Sequence, residues 1–428
     1  MWRAAARQEW VWIALVVGVA LLAAWPAVGQ PGLLNTRGGG DSPFLLQRLH
    51  QLTAALADGH FPTRWMPDAN YGYGYPFYNF YAPLSIYIAA AFRFIGFSFV
   101  RSIHLAQLAG FVVAGLGTYA LGRRWFDSRW SGLLSAVAYT VAPFHMVNVY
   151  VRGDSLAEFW AMAFYPLVLL AADGLLPSPG SGRPRTAGRA GARVALFALA
   201  YAALILSHNI SALIFSPFLL LYVALRLWLR TPDDEPPAAT DDSSARRPPS
   251  AAAQLAPPLA GFLLAFALAA WFFVPALGEQ GLAQLGPVTE GYFHYSNHFR
   301  GTDLVQTTPG FDYSPDGGTA FRMGLVQAAL ALAGAAVVLL RWGRRGANGE
   351  RPLARSRAVF MVTGLLVATL LITPLSRPLW DHLPLLPFTQ FPWRFLSVQA
   401  LFAALLTGAL AHLPQRAFIV PVASIALL

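Results

Sequence analysis

Apolar residues run along this chain in blocks of about twenty, separated by short polar stretches or stretches rich in Pro and Gly. Blocks of that length let a helix cross a bilayer, and lipid allows only helical or closed-barrel backbone. The pattern predicts spans near 10–29, 103–121, 130–147, 157–175, 192–207, 211–229, 257–277, 321–340, 358–375 and 395–412, with an incomplete one from 417. The expectation is an all-α polytopic membrane protein with about eleven transmembrane helices in a single domain over 1–428. The opening run "MWRAAARQEWVWIALVVGVALLAAW" has a basic flank and an apolar core of spanning length. It lacks a convincing small-residue cleavage site and reads as a retained first helix.

One stretch resists the pattern. "PLSIYIAAAFRFIGFS" at 83–98 is short and carries Arg93 in its middle. If it spans, the Arg-rich "GRRWFDSRW" at 122–130 lies outside the cell; if it lies in the outer interface, that loop lies inside. Arg accumulates in short cytoplasmic loops, and all 30 basic residues here are Arg. With 83–98 interfacial and the N-terminus inside, 20 Arg and 9 acids fall inside, against 10 Arg and 11 acids outside. The net charge of +10 is thus a topology signal for a multi-pass protein of the cytoplasmic (inner) membrane. It gives no reason to expect a nucleic-acid partner. The chain has no Cys, which excludes disulfide and thiol chemistry.

The expected organisation is a large first outer loop with interfacial helices over 30–102, a disordered cytoplasmic loop over 230–256 and a second long outer loop over 278–320. Unusual polar residues collect on the outer side. In "GGGDSPFLLQRLHQLTAALADGHFPTRW", Leu45, Leu49, Leu52 and Leu56 form a helical stripe with His50 off it, the pattern of an amphipathic surface helix. Asp41 stands at its head, as a helix cap or as a base at the water–lipid boundary. The loop "RWMPDANYGYGYPFYNFYAPL" holds Arg64, Tyr73 and Tyr75 among further tyrosines.

In "NVYVRGDSLAEFW", Asp154 and Glu158 lie four apart with Arg152 just before. A cap with an acid in the first turn explains this, as does a polar network around substrate or a shared cation; an acid inside a membrane helix needs a partner. "LSHNISALI" turns between two spans at His208, either as a structural turn or at a site. "LPLLPFTQFPWRF" brings Arg394 to the head of a helix, where it snorkels or binds phosphate. His294 and His298 have metal-ligand spacing but no HExxH partner motif.

Five of these stretches, "RWMPDANYGYGYPFYNFYAPL", "VRGDSLAEF", "LSHNISAL", "FVPALGE" and "LPLLPFTQFPWRF", resemble the bacterial membrane family labelled 6-pyruvoyl-tetrahydropterin synthase-related. The chain offers no three-His zinc site of a pterin synthase. More broadly the layout resembles the GT-C glycosyltransferases, among them oligosaccharyltransferases, protein O-mannosyltransferases and aminoarabinose transferases. That resemblance implies a first outer loop opened by an acid, matching Asp41, and a second carrying acids, matching Asp154 and Glu158. This chain reads Arg-Gly-Asp at 152–154 where oligosaccharyltransferases carry Asp-x-Asp, so a divalent metal ion stays open as a cofactor.

The resemblance implies transfer of a sugar from a polyprenyl-phosphate donor to an acceptor at the outer face. Asp41 is then the base, and Arg64, Arg101 or Arg394 holds the lipid phosphate. Asp154, Glu158 and His208 orient sugar hydroxyls or a cation, with Arg152 and His50 among the substrate-binding residues. The tyrosines line a groove whose aromatic faces stack on sugar. The expected partners are the lipid-linked sugar, membrane lipid and an acceptor the sequence does not name. The alternative is a transporter or flippase of a lipid-linked sugar without chemistry. Transporters favour internal repeats and mid-membrane sites; here no repeat is visible and the polar residues gather at one face.

Overall fold

The structure is a computed structural model that describes residues 2–33, 42–153, 155–176, 187–229, 251–283, 286, 289–314, 316–341 and 353–413. Fifteen α-helices occur among them: α1 (Trp2–Val28), α2 (Ser42–Ala57), α3 (Phe77–Phe80), α4 (Leu84–Phe94), α5 (Phe99–Phe126), α6 (Arg129–Thr140), α7 (Pro143–Met146), α8 (Leu156–Leu175), α9 (Ala187–Ser207), α10 (Asn209–Trp228), α11 (Ala251–Gly278), α12 (Leu325–Leu340), α13 (Arg355–Ile372), α14 (Arg377–His382) and α15 (Leu396–Gly408). Eight described helices are long and apolar enough to cross a membrane, and a bent pair makes a ninth if taken as one span. This is an all-helical, multi-pass architecture. The span expected from 417 lies outside the described residues.

Two expected spans differ in ways their sequences explain. The run 130–147 is not one helix: α6 stops at Thr140, and a second piece from Pro143 to Val151 continues at 42°. Pro143 lacks an N–H and pushes Ala142 out of helical geometry, and Ala142 sits at φ −55°, ψ 135°. The run 321–340 yields only the sixteen residues of α12, short of the ~20 that span a bilayer. Its expected first turn is spent elsewhere, Met323 pairing with Val305 in a β-bridge. Of the loop expected over 230–256, residues 230–250 lie outside the described residues, and Ala251 already opens α11.

The helix α4 has eleven residues, about 16 Å of rise, and packs on α2 and α5. The stripe of α2 faces protein: Leu45, Leu49 and Leu52 are closed off by the core and Leu56 partly so. Gln51 fastens α2 to the following loop, donating to Asp68 Oδ2 at 3.0 Å and accepting from the Asp68 N–H at 2.8 Å.

The central helices are α8 and the 392–412 segment containing α15, whose spans are 83% and 89% buried, whereas α1 and α11 are 28% and 22% buried and present apolar side chains outward. Small residues let neighbours approach α15. A Cβ on Gly334 of α12 would lie 2.0 Å from the Leu406 carbonyl oxygen, and one on Gly364 of α13 would lie 2.2 Å from the Phe402 ring.

The helix α8 carries one buried acid near each end. Glu158 and Asp173 are fifteen residues apart, about 22 Å along the axis. At the Asp173 end, one carboxylate gathers four side chains. Oδ1 accepts from Tyr222 Oη at 2.5 Å, Arg226 Nη1 at 2.6 Å and Arg357 Nη2 at 3.2 Å. Oδ2 accepts from Arg124 Nε at 2.5 Å and Arg357 Nη2 at 3.1 Å. These partners come from α5, α10 and α13, so the cluster ties three helices to the central one.

Candidate functional site

The other end of α8 carries the candidate site. Past Pro143 the backbone winds into a π-turn over Val147–Val151, a form that recurs at functional sites. The extra residue in that turn brings Asn148 and Arg152 over the start of α8. Arg152 Nη1 donates to Glu158 Oε2 at 2.5 Å and to Asn148 Oδ1 at 2.8 Å. Asn148 is itself held by a 2.8 Å bond from its amide to the Phe144 carbonyl.

Arg394 approaches the same carboxylate oxygen from the turn before α15, with Nε 3.9 Å away. Its Nη1 donates to the Thr389 carbonyl at 2.8 Å and to Gln390 Oε1 at 3.1 Å. Trp393 closes one side: its ring centre is 5.2 Å from the Arg152 guanidinium carbon and 5.9 Å from that of Arg394, and it stacks on Phe321 and Phe391. Glu158 is buried, and its second oxygen, Oε1, has no hydrogen-bond partner among the described residues.

His208 completes the group. It is the N-cap of α10, its Nδ1 lying 2.7 Å from Ser211 Oγ and accepting from the Ser211 N–H. Burial pushes the imidazole down to about 3, and nearby Arg394 and Arg152 push the same way against the opposing charge of Glu158. His208 is therefore neutral at physiological pH. Beneath the cluster, Tyr165 Oη lies 3.4 Å from both the Ser211 carbonyl and Ser397 Oγ.

A second feature sits beside the first. A crevice of about 10 Å³ is lined by Ala27, Ser42, His104, Gln107, Val149 and Gly153, among others. Gly153 follows Arg152 in the chain, so the crevice adjoins the charged cluster. Asp41 and Asp154 lie outside the described residues, but the residues next to them, Ser42 and Gly153, both line this crevice.

Of the residues expected from sequence, Arg152, Glu158, His208 and Arg394 come together. Arg64 instead donates to Asn79 Oδ1 and to the Trp271 carbonyl, both at 3.2 Å, and Asn79 reaches Glu279 at 2.8 Å. That chain links the segment between α2 and α4 to the end of α11. Arg101 Nη1 donates to the Val28 carbonyl, tying α5 to α1. His50 is exposed on α2, 5.5 Å from the Phe99 ring.

Tyr73 and Tyr75 belong to a small hairpin closed by the Met66–Tyr75 bridge, and they are 84% and 53% exposed. Tyr78 is buried, donating to the Arg48 carbonyl. Gly74 at φ +82° has Trp65 directly over it, where no Cβ fits. His294 pairs with Ser296 and His298 with the Tyr292 carbonyl. No group of three His, Asp or Glu side chains that could hold a metal occurs among the described residues.

Comparison with known proteins bears on this geometry. Residues 78–233 match the membrane protein family described as the 6-pyruvoyl-tetrahydropterin synthase related domain, the family the motifs resemble. Two solved structures share the overall arrangement. ArnT from Cupriavidus metallidurans, solved bound to undecaprenyl phosphate, is 13% identical with a TM-score of 0.56 over 97% of this chain and 63% of that one. The Archaeoglobus fulgidus oligosaccharyltransferase is 14% identical with a TM-score of 0.53 over 94% of this chain and 50% of that one. The fold is GT-C-like. An uncharacterized protein of Lactococcus lactis subsp. cremoris is 26% identical over 214 residues, 49% of this chain and 32% of that relative. The chain thus spans about a third of that relative's length and less than two thirds of either solved structure.

Several site residues escaped the sequence reading. Asn148 stood in a quoted motif without being chosen. His104 and Gln107 lie in "RSIHLAQLAGF", where two polar residues three apart on a membrane helix were the available signal.

Proposed function

We propose that the chain is a membrane glycosyltransferase that takes its sugar from a polyprenyl-phosphate donor at the outer face of the cytoplasmic membrane, with its N-terminus inside. One observation carries this reading: two guanidinium groups, Arg152 and Arg394, converge on one buried carboxylate, Glu158, beside a crevice flanked by the neighbours of both expected acids. The GT-C-like fold supports it, since one solved structure with that fold holds undecaprenyl phosphate.

In this reading Arg152 and Arg394 receive the lipid phosphate through charge-assisted hydrogen bonds. Glu158 acts by positioning both, which accounts for its burial better than a role on the reacting atoms. Asp41 takes the proton of an acceptor hydroxyl as that oxygen bonds to the anomeric carbon. The bond from that carbon to the phosphate oxygen breaks, and the phosphate leaves with the electron pair. Its growing charge is stabilised by the two guanidinium groups in place before the reaction. Asp154 orients the sugar, neutral His208 holds the turn beside the phosphate, and Tyr73 and Tyr75 offer aromatic faces at the surface.

Undecaprenyl phosphate binding in nanodiscs tests the phosphate grip. The double variant Glu158→Gln/Arg394→Gln removes one charge of each sign, so the net charge of the cluster is unchanged and Arg152 keeps its bond to Asn148 Oδ1. It should weaken binding by about tenfold or more, the worth of a hydrogen bond to a charged group. Unchanged affinity in a folded double variant would refute the assignment.

A further inference from the structure

We propose that His104 and Gln107 form a subsite for one hydroxyl of the donor's sugar, an assignment that rests on the phosphate reading above. Both side chains are buried on α5, three residues apart, and both line the crevice. Among the described residues, neither ring nitrogen of His104 nor the Oε1 of Gln107 has a hydrogen-bond partner. The Gly32 backbone lies close to the imidazole without reaching hydrogen-bond geometry. Buried polar groups are ordinarily paired, and each exception calls for a cause.

The unmet needs define the ligand. A neutral imidazole presents one donor and one acceptor, and the amide oxygen adds a second acceptor. A sugar hydroxyl, with one hydrogen to donate and lone pairs to accept, can give its proton to Gln107 Oε1 and accept from the imidazole N–H, one acceptor and the donor of that set; a carboxylate or phosphate, which only accepts, leaves Gln107 Oε1 unmet. Size agrees: about 10 Å³ admits one water-sized group, a single hydroxyl rather than a whole ring. Position favours the donor as its source. Gly153, which lines the crevice, is bonded to Arg152 of the phosphate grip, and in a glycosyl phosphate the sugar is joined directly to the phosphate.

The test compares undecaprenyl phosphate with undecaprenyl phosphate carrying glucose, mannose, galactose or aminoarabinose, each titrated into protein in nanodiscs. Wild type should prefer at least one glycosylated lipid by about tenfold or more. His104→Phe and Gln107→Leu should abolish that preference and leave affinity for the bare lipid within about twofold. Their unfolding midpoints should hold or rise, because an apolar replacement removes an unpaired buried group. If the Phe variant fails to fold, His104→Asn, smaller and unable to reach as far, carries the comparison.

A preference that survives both variants would overturn the subsite. So would equal weakening of bare and glycosylated lipids, which marks a purely structural role, or a wild type indifferent to every sugar while it binds the bare lipid. Failure of wild type to bind even the bare lipid would overturn the phosphate reading first and the subsite with it.

Discussion

Replacing Asp173 with Asn preserves shape and removes only the charge at the centre of the ion cluster opposite the site. Asp173 is closed off from solvent and accepts from Arg124, Arg226, Arg357 and Tyr222 at 2.5–3.2 Å. The side chains of Arg226 and Arg357 are 5% and 11% exposed, against 38% for Arg124. The first two therefore dominate, and solvent screens the third to a fraction of a kcal/mol. Removing the charge from a buried ion network costs about 3–5 kcal/mol, since the remaining ions stay desolvated. For a chain of 428 residues that corresponds to a fall of about 3–6 °C in unfolding midpoint, measured by intrinsic fluorescence in detergent. Binding of undecaprenyl phosphate by the folded fraction should be unchanged, because Glu158 is about 22 Å away along α8. The triple variant Asp173→Met/Arg226→Leu/Arg357→Leu should recover most of the loss, as apolar replacement of a buried network often does. A loss below ~1 kcal/mol for Asp173→Asn would refute the claim that this cluster clamps α5, α10 and α13 to α8.

Gly334→Ala should destabilise by about 1–3 kcal/mol through overpacking against the Leu406 carbonyl, whereas Gly18→Ala, with nothing near its Cβ, should not; paired thermal melts decide. His208 binds a proton below about 6.5 when unfolded but only near 3 when folded. Between those values the unfolded state holds more protons, so stability should fall as pH drops, by up to about 1.4 kcal/mol per unit. His208→Asn, which keeps a capping side chain, should flatten that slope, and an identical slope in both proteins would reject the buried neutral imidazole. Tyr73→Ala should leave stability within about 0.5 kcal/mol, as for exposed positions generally, while weakening binding of the glycosylated lipid more than the bare one in the same nanodisc titration.

What the sequence disclosed depended on whether a residue's own neighbourhood betrayed it. Leu45, Leu49 and Leu52 declare their buried face by period alone. Arg152, Glu158, His208 and Arg394 stand out because charge and polarity at the edge of an apolar span demand partners. Their mutual partnership is another matter, since it joins segments up to about 240 residues apart through a bend at Pro143 and a π-turn that no local pattern announces. Asp173 and its three arginines shared a side with many other arginines, and a count of charge by side does not reveal which ones are buried together. His104 and Gln107 were absorbed into an apolar run because neither interrupts it. Arg64 and Arg101 match the chemistry of a phosphate grip in sequence, yet the fold gives both of them backbone carbonyls to hold.

Sugar transfer itself is the most direct test. Proteoliposomes holding wild type or Asp41→Asn would be loaded with radiolabelled undecaprenyl-phosphate sugars and a mixed acceptor pool of cell-envelope lipids and glycans, and label leaving the lipid would be followed. Wild type should transfer at least one sugar, and Asp41→Asn should bind the same donor without turning it over. Donor bound by both proteins, with label crossing the bilayer still attached to its lipid and no transfer by wild type, would contradict the glycosyltransferase reading and make the chain a flippase.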